Sequence, residues 1–233
     1  MKVAIMQPYF FPYIGYFQLI NSVDEFIVYD NIQYTKKGWI NRNRMLENGK
    51  DSIFSIPLKH DSDYLNVDDR FLSDDWNKWR EKLLNRVNSA YKKSPYFEEG
   101  YNLFEICVQN KNYNLFQFIF TSLIATCKYL GIKTPLLISS CVNIDHSLRS
   151  RDKVVALCKS RNANTYINPI GGMELYKRED FKKEGIDLFF CKAKPFEYPQ
   201  FKNNFVPWLS ILDVIMFNSQ EKIKGYLNNY ELL

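Results

Sequence analysis

Three segments of this chain hold the side chains that could do chemistry. In the first, Gln7-Pro8-Tyr9-Phe10-Phe11-Pro12-Tyr13-Ile14-Gly15-Tyr16-Phe17, an amide and a glycine are interleaved with six aromatic rings. Gly15 has no Cβ, so a ligand or another backbone could approach closely there, with Tyr13 and Tyr16 framing a sugar or base. The second segment, Tyr29 to Arg44, is dense in donors: Gln33, Lys37, Asn41, Arg42, Asn43 and Arg44, with Tyr34 and Trp39 as flat faces. Arginine presents a two-pronged fork to phosphate or carboxylate. Asp30 could accept from sugar hydroxyls or act as a base. In the third, Tyr166 to Tyr176, Gly171 and Gly172 make a loop able to turn backbone amides toward an anion. Lys153 and Arg149 could reach the same place, and Tyr176 closes the segment. Of the two histidines, His60 and His146, the second stands near Ser140 and Cys141 and joins Asp30 as a candidate base. Plainer readings stand beside these: packing around a tight turn, a polar hairpin, an ordinary glycine turn, structural histidines.

Such residues need elements that bring them together. Lys2–Met6 is a short apolar run suited to a buried strand. Gln7–Pro12 must be a loop, because neither proline tolerates a helix interior. Tyr13–Ile20 has helical spacing, and Glu25–Tyr29 reads as a second strand. Strand, loop, helix, strand is a βαβ unit, so the two strands should be parallel. The first two segments then share one sheet edge, at the carboxyl ends of the strands. There open α/β sheets bind ligands, and a helix N-terminus offers free amides to phosphate.

The rest of the chain fits the same plan. Ser52–Leu58 reads as a third strand. Asp74–Ala90, a helix from Pro95 to about Gln109, and Asn112–Tyr129 with Gly131 as its C-cap form a helical block. Alternation then resumes: strand Leu136–Ser139, helix Ser150–Lys159, strand Thr165–Asn168, a helix near Lys177–Lys183, strand Leu188–Lys192, and two helices, Ser210–Phe217 and Ser219–Asn228. The expectation is a single α/β domain over residues 1–233. It has a Rossmann-like parallel sheet, a helical insertion at about 73–131 and C-terminal helices.

Composition narrows the function classes. The chain carries 31 Lys and Arg against 26 Asp and Glu, a net +5. The charge is uneven: residues 31–50 and 145–161 are basic, and residues 61–75 hold six Asp against Arg70. Two basic segments around an acidic one suit a phosphate-bearing small molecule better than a long polyanion, so nucleic acid is not expected as a partner. Only four apolar residues separate Lys2 from Gln7-Pro8, far short of a signal peptide's core. Leu115–Leu130, the most apolar segment, is interrupted by Gln117, Thr121, Ser122, Thr126 and Lys128 and is too short to span a bilayer. No membrane insertion is expected, and the compartment is read as cytoplasmic. Five cysteines with no metal-ligand spacing read as buried free thiols, and no metal is expected. The ring content is the outlying number: 16 Tyr, 18 Phe and 4 Trp, with ten of these in the first 40 residues.

The segment Tyr13-Ile14-Gly15-Tyr16 occupies the place where the nucleotidylyltransferase superfamily carries His-x-Gly-His, with tyrosines at both histidine positions. Ser139-Ser140 followed by Arg149 is a loose echo of that superfamily's second motif. Over nearly the whole chain, Gln7–Ile20 (QPYFFPYIGYFQLI), Gly38–Arg44 (GWINRNR), Tyr166–Tyr176 (YINPIGGMELY) and Phe205–Asn218 (FVPWLSILDVIMFN) together resemble the WbqC-like family. The resemblance implies a protein encoded among bacterial surface-polysaccharide genes, notably O-antigen clusters, and acting on a nucleotide-activated sugar. It implies no particular reaction. The leading expectation is N-acyl or aminoacyl transfer to a nucleotide-linked amino sugar, which needs an acyl or aminoacyl donor; a tRNA-borne donor and a homodimer stay open. Asp30 or His146 would take the amine's proton. Lys37, Arg42 and Arg44 would hold the diphosphate. The alternatives are a nucleotidyltransferase-like activating enzyme and a nucleotide-sugar binding protein without catalysis.

Overall fold

Successive residues of the first strand point to opposite faces, and both faces are covered: Ala4 joins one hydrophobic core, Val3 and Ile5 another. That pattern belongs to a parallel sheet with helices on either side. The computed structural model describes residues 1–233. The chain opens with β1 (Lys2–Met6), α1 (Ile14–Asn21) and β2 (Glu25–Val28). A hairpin follows, β3 (Arg42–Glu47) and β4 (Lys50–Ser55). Three helices come next, α2 (Trp76–Tyr91), α3 (Phe97–Val108) and α4 (Leu115–Leu130). Strands and helices then alternate through β5 (Leu136–Ile138), α5 (Ser150–Ser160), β6 (Thr165–Pro169), α6 (Arg178–Lys182) and β7 (Asp187–Ala193). The last elements are α7 (Ile211–Phe217), α8 (Gln220–Leu227) and β8 (Tyr230–Leu232).

The main sheet runs β5-β2-β1-β6-β7-β8, parallel except for β8. Counted among the parallel strands, this is third, second, first, fourth, fifth, the Rossmann order, and its direction reverses between β1 and β6. The two strands at that reversal pair only through Lys2–Thr165 and Val3–Tyr166. By contrast, β1 pairs β2 at four positions, up to Met6–Val28. So β1 and β6 part toward their carboxyl ends, where loops 7–13 and 170–177 leave the sheet. Asn114 caps α4 by accepting from the Gln117 amide at 3.1 Å, and Gly131 ends it at φ 73°.

Two expectations need correcting. The strand expected at Ser52–Leu58 lies at Lys50–Ser55 and sits outside the main sheet, paired antiparallel to β3. The cause is the turn Asn48-Gly49, with φ of 52° and 75°, because positive φ at both central residues makes a tight hairpin whose twist fits its strands. Of the five thiols, Cys141 is exposed, since it ends a short 3-10 turn after β5 rather than facing a core. The three-residue β8 has no sequence signal of its own and closes the β7 edge. No helix is long and apolar enough to cross a membrane.

Candidate functional site

The loop after β1 folds inward because its carbonyls find partners from distant segments. Asn43 Nδ2 donates to the carbonyls of Phe10 (3.3 Å) and Phe11 (2.8 Å), Ser210 Oγ donates to Phe11 (2.6 Å), and the Ile211 amide donates to Pro12 (2.8 Å). Phe11 is thereby held at φ 44°, a conformation unusual for a bulky side chain. Phe10 and Phe11 enter the core, while Tyr9 and Tyr13 are left to bound a cleft.

That cleft has two chambers. One, of about 280 Å³, lies between Tyr9, Tyr13, Trp39, Asn43, Arg44 and Trp208. The other, of about 330 Å³, is largely apolar, walled by Tyr13, Phe196, Tyr198, Phe205 and Trp208, with Lys194 and Glu197 as its charged groups. Tyr13 and Trp208 belong to both and meet edge to face at 6.0 Å. Gly15 makes room for the Tyr13 ring, since a Cβ there would lie 2.3 Å from it. Trp208 stands at φ 61° with 56% of its surface exposed, its carbonyl accepting from Arg44 Nη2 at 3.1 Å. A non-glycine residue holds that backbone only when its surroundings over-determine it. The guanidinium groups of Arg42 (5.4 Å) and Arg44 (5.6 Å) both lie over the Trp39 ring. Burial pushes the Tyr9 hydroxyl up to about 12 and also raises Tyr13, so both stay neutral donors.

The strap 194–209, which supplies most of the apolar chamber, is fastened from beneath. Asp213, fully buried on α7, accepts from Tyr91 Oη (2.9 Å), Tyr198 Oη (2.7 Å) and Gln200 Nε2 (2.7 Å). Burial pushes its carboxyl up to about 6 despite these donors. Gln200 also takes the Val206 amide at 2.7 Å, and Tyr91 takes the Leu46 amide of β3 at 2.8 Å. One carboxylate thus ties the strap, α2 and α7 to the hairpin.

A second group of polar residues sits at the ends of β2 and β5. Asp30 is buried and accepts from Ser139 Oγ (2.7 Å), the Ser140 amide (2.9 Å) and Ser140 Oγ (2.5 Å). Of about four lone-pair sites on a carboxylate, three are filled. His146 Nε2 faces the Val142 carbonyl at 3.0 Å, which requires its proton there, so Nδ1 accepts from Asn31 Nδ2 at 3.1 Å. Both ring nitrogens are engaged. Lys153 is buried in the first turn of α5, over the Tyr29 ring at 5.0 Å. Burial lowers its pKa, while Asp30 and Asp68 favour its charge. Burial, with Tyr176 close by, pushes Tyr29 up to about 12.

The structure therefore separates residues that the sequence set side by side. Tyr13, Trp39 and Arg44 meet at the cleft, with Gly15 buried against the Tyr13 ring. Asp30, His146 and Lys153 meet at the second group, and none of them lines either chamber. Tyr16 is enclosed against Phe26, its hydroxyl spent on the Gln7 carbonyl at 2.9 Å, while the Gln7 side chain accepts from Tyr9 at 3.4 Å. Arg42 closes its own loop, donating to the carbonyls of Lys37 and Gly38, and the Lys37 side chain is exposed. Tyr34 donates to Asn41 Oδ1 (2.8 Å), Asn41 donates to the Ile56 carbonyl (2.7 Å), and Gln33 donates to the Asp63 carbonyl (3.1 Å). Those three brace the loop rather than the cleft. Gly172 accommodates the Asn168 amide, 2.0 Å from where a Cβ would stand, and Gly171 faces open space. Tyr176 packs edge-on against Tyr166 at 6.0 Å. Sequence reasoning missed the strap; its ring density (Phe196, Tyr198, Phe201, Phe205 and Trp208) was the available signal.

The model of the WbqC-like protein family matches residues 7–225. An uncharacterized protein of Mycobacterium tuberculosis is 31% identical over 234 residues, covering 97% of both chains. No solved structure matches.

Proposed function

The chain belongs to the WbqC-like protein family, and from that premise and the two-chambered cleft we propose that it transfers an N-acyl or aminoacyl group to a nucleotide-linked amino sugar in bacterial surface-polysaccharide synthesis. One observation carries the reading. An apolar chamber and an arginine-bearing chamber share two aromatic walls, so an acyl group and a phosphate-bearing sugar could be held on either side of Tyr13 and Trp208. Arg44 supplies charge for a diphosphate, and Trp39 and Trp208 supply faces for a ring. In the reaction the amine attacks the acyl carbonyl. A C–N bond forms, the bond to the donor's leaving group breaks, and the amine's proton must go to a base. Glu197, the one carboxylate in the two chamber linings, is the proposed acceptor, because Asp30 is buried and lines neither chamber. A surface-polysaccharide precursor of this kind is made in the cytoplasm, which is the compartment we propose.

A second reading, binding without turnover, rests on a separate fact: neither Asp30 nor His146 lines a chamber. One experiment separates the two. Purified protein is incubated with UDP- and dTDP-linked amino sugars plus acyl-thioester and aminoacyl donors, with products read by mass spectrometry and binding by calorimetry. A mass gain equal to the acyl group supports transfer. Binding with no mass gain supports the second reading, and neither signal across the panel removes both.

A further inference from the structure

Away from the cleft, on the other side of loop 35–41, one cation is buried without an ion-pair partner, with Asp63 the carboxylate it acts on at longer range. Arg70 is 4% exposed, yet no carboxylate lies within ion-pair distance of it. Its Nη2 donates to the Ser62 carbonyl at 2.7 Å, and its guanidinium lies over the Tyr34 ring at 4.3 Å. Nε is buried with no partner at all. The backbone holds the residue in place: the Arg70 carbonyl accepts from the Leu115 amide at 2.8 Å, at the start of α4. A fully buried arginine is almost never unpaired, because its desolvation is not repaid.

Arg70 borders a cavity of about 340 Å³ together with Tyr34, Lys36, Asn41, Lys59 and His60. Asp61 is the only carboxylate in that lining, against three fixed cations. Lys36 and Lys59 each hold an exposed partner outside it, Asp63 and Asp74, both at 2.7 Å. Exposed pairs of this kind are weak enough for a ligand to displace. The excess of charge suits a group with two negative charges and three or more acceptor oxygens. We propose that this cavity is a second anion site, separate from the cleft, that takes the phosphoryl group of a phosphate ester or diphosphate. It does not depend on the transfer reading.

The test is calorimetric titration of the whole protein with inorganic phosphate, pyrophosphate and, as a singly charged control, acetate, at low ionic strength. Saturable phosphate or pyrophosphate binding without acetate binding is expected. Arg70→Met should weaken it about tenfold to a hundredfold, the range of a lost charged hydrogen bond. Should circular dichroism show that variant unfolded, the double variant Lys59→Gln with His60→Gln decides, and it should weaken binding as well. Lys222→Gln, on α8 and lining neither the cleft nor this cavity, should leave this binding unchanged. No saturable phosphate or pyrophosphate binding, equal binding of acetate, or loss of binding in Arg44→Met with retention in the variants of the cavity would each overturn the proposal.

Discussion

The cleft and the Asp30 group are both rich in polar and aromatic residues at the carboxyl edge of the sheet, but they spend them differently. In the Asp30 group almost every hydrogen-bonding atom has a protein partner: three donors reach the Asp30 carboxylate, and both His146 nitrogens are occupied. In the cleft the interior partners are backbone carbonyls, and the rings are left over. Asn43 and Ser210 hold the loop from behind, and Trp208 presents more than half its surface. Satisfied polar groups make a rigid support, whereas unsatisfied faces above a fastened backbone make a place for a ligand.

The largest effect that could break this contrast is at Asp213. If the strap owes its position to that carboxylate, Asp213→Ala should cost about 3 kcal/mol or more in urea unfolding, since Tyr91, Tyr198 and Gln200 lose their buried acceptor. The pH dependence of the same residue has a definite sign. Its carboxyl rises from 3.8 to about 6 on folding, so between those values the folded protein keeps a proton that the unfolded chain has released. Its contribution is therefore full below the lower value and is lost as pH rises through the upper one, by up to about 3 kcal/mol. Comparing urea midpoints of wild type and Asp213→Asn across that window isolates the effect; parallel curves would show that the network does not titrate.

Smaller changes sharpen the contrast. Trp208→Gly removes a ring and relieves a left-handed backbone, so nucleotide-sugar affinity should fall at least about tenfold while stability stays level or rises by about 1 kcal/mol. Calorimetry and thermal melts read the two halves, and a fall in both would make Trp208 a packing residue. Gly15→Ala should displace the Tyr13 ring and weaken the same binding by a few fold, about threefold to tenfold, with Tyr13→Phe unaffected if only the ring matters. Lys153→Met should do least, within about 1 kcal/mol in stability and nothing to cleft affinity. Loss of affinity there would draw the Asp30 group into the site and end the distinction.

Much of this was legible from the chain. Apolar runs bounded by Pro, Gly and Asn placed β1, α1, β2 and the later alternating elements, and Gly131 marked a helix end. The Asn48-Gly49 turn carries the hairpin signal, whereas the alternation at residues 52–58 does not say which strand it pairs with. For the cleft, sequence singled out Tyr13, Trp39 and Arg44, which border it, and Gly15, which lies against the Tyr13 ring. It could not tell them from Tyr16 or Tyr34, because whether a tyrosine faces solvent or core depends on its neighbours in space. Tyr16, on α1, is enclosed by Phe26 of β2, and Tyr34 by Arg70 from a loop more than thirty residues on. Trp208 is legible only as one ring of a dense stretch, because its place at the cleft arises from contact with Tyr13, far off in the chain.

That distance has a consequence for how the protein is made. The bonds that close the cleft join residues 199 apart, from Ser210 to Phe11, and 164 apart, from Arg44 to Trp208. Contacts of such sequence separation form late, after shorter loops have closed, and during synthesis they cannot form until the strap has left the ribosome. The β1-α1-β2 unit can fold early with its rings waiting. The closed cleft therefore exists only once the strap has docked, and a copy ending before residue 194 would lack its apolar chamber.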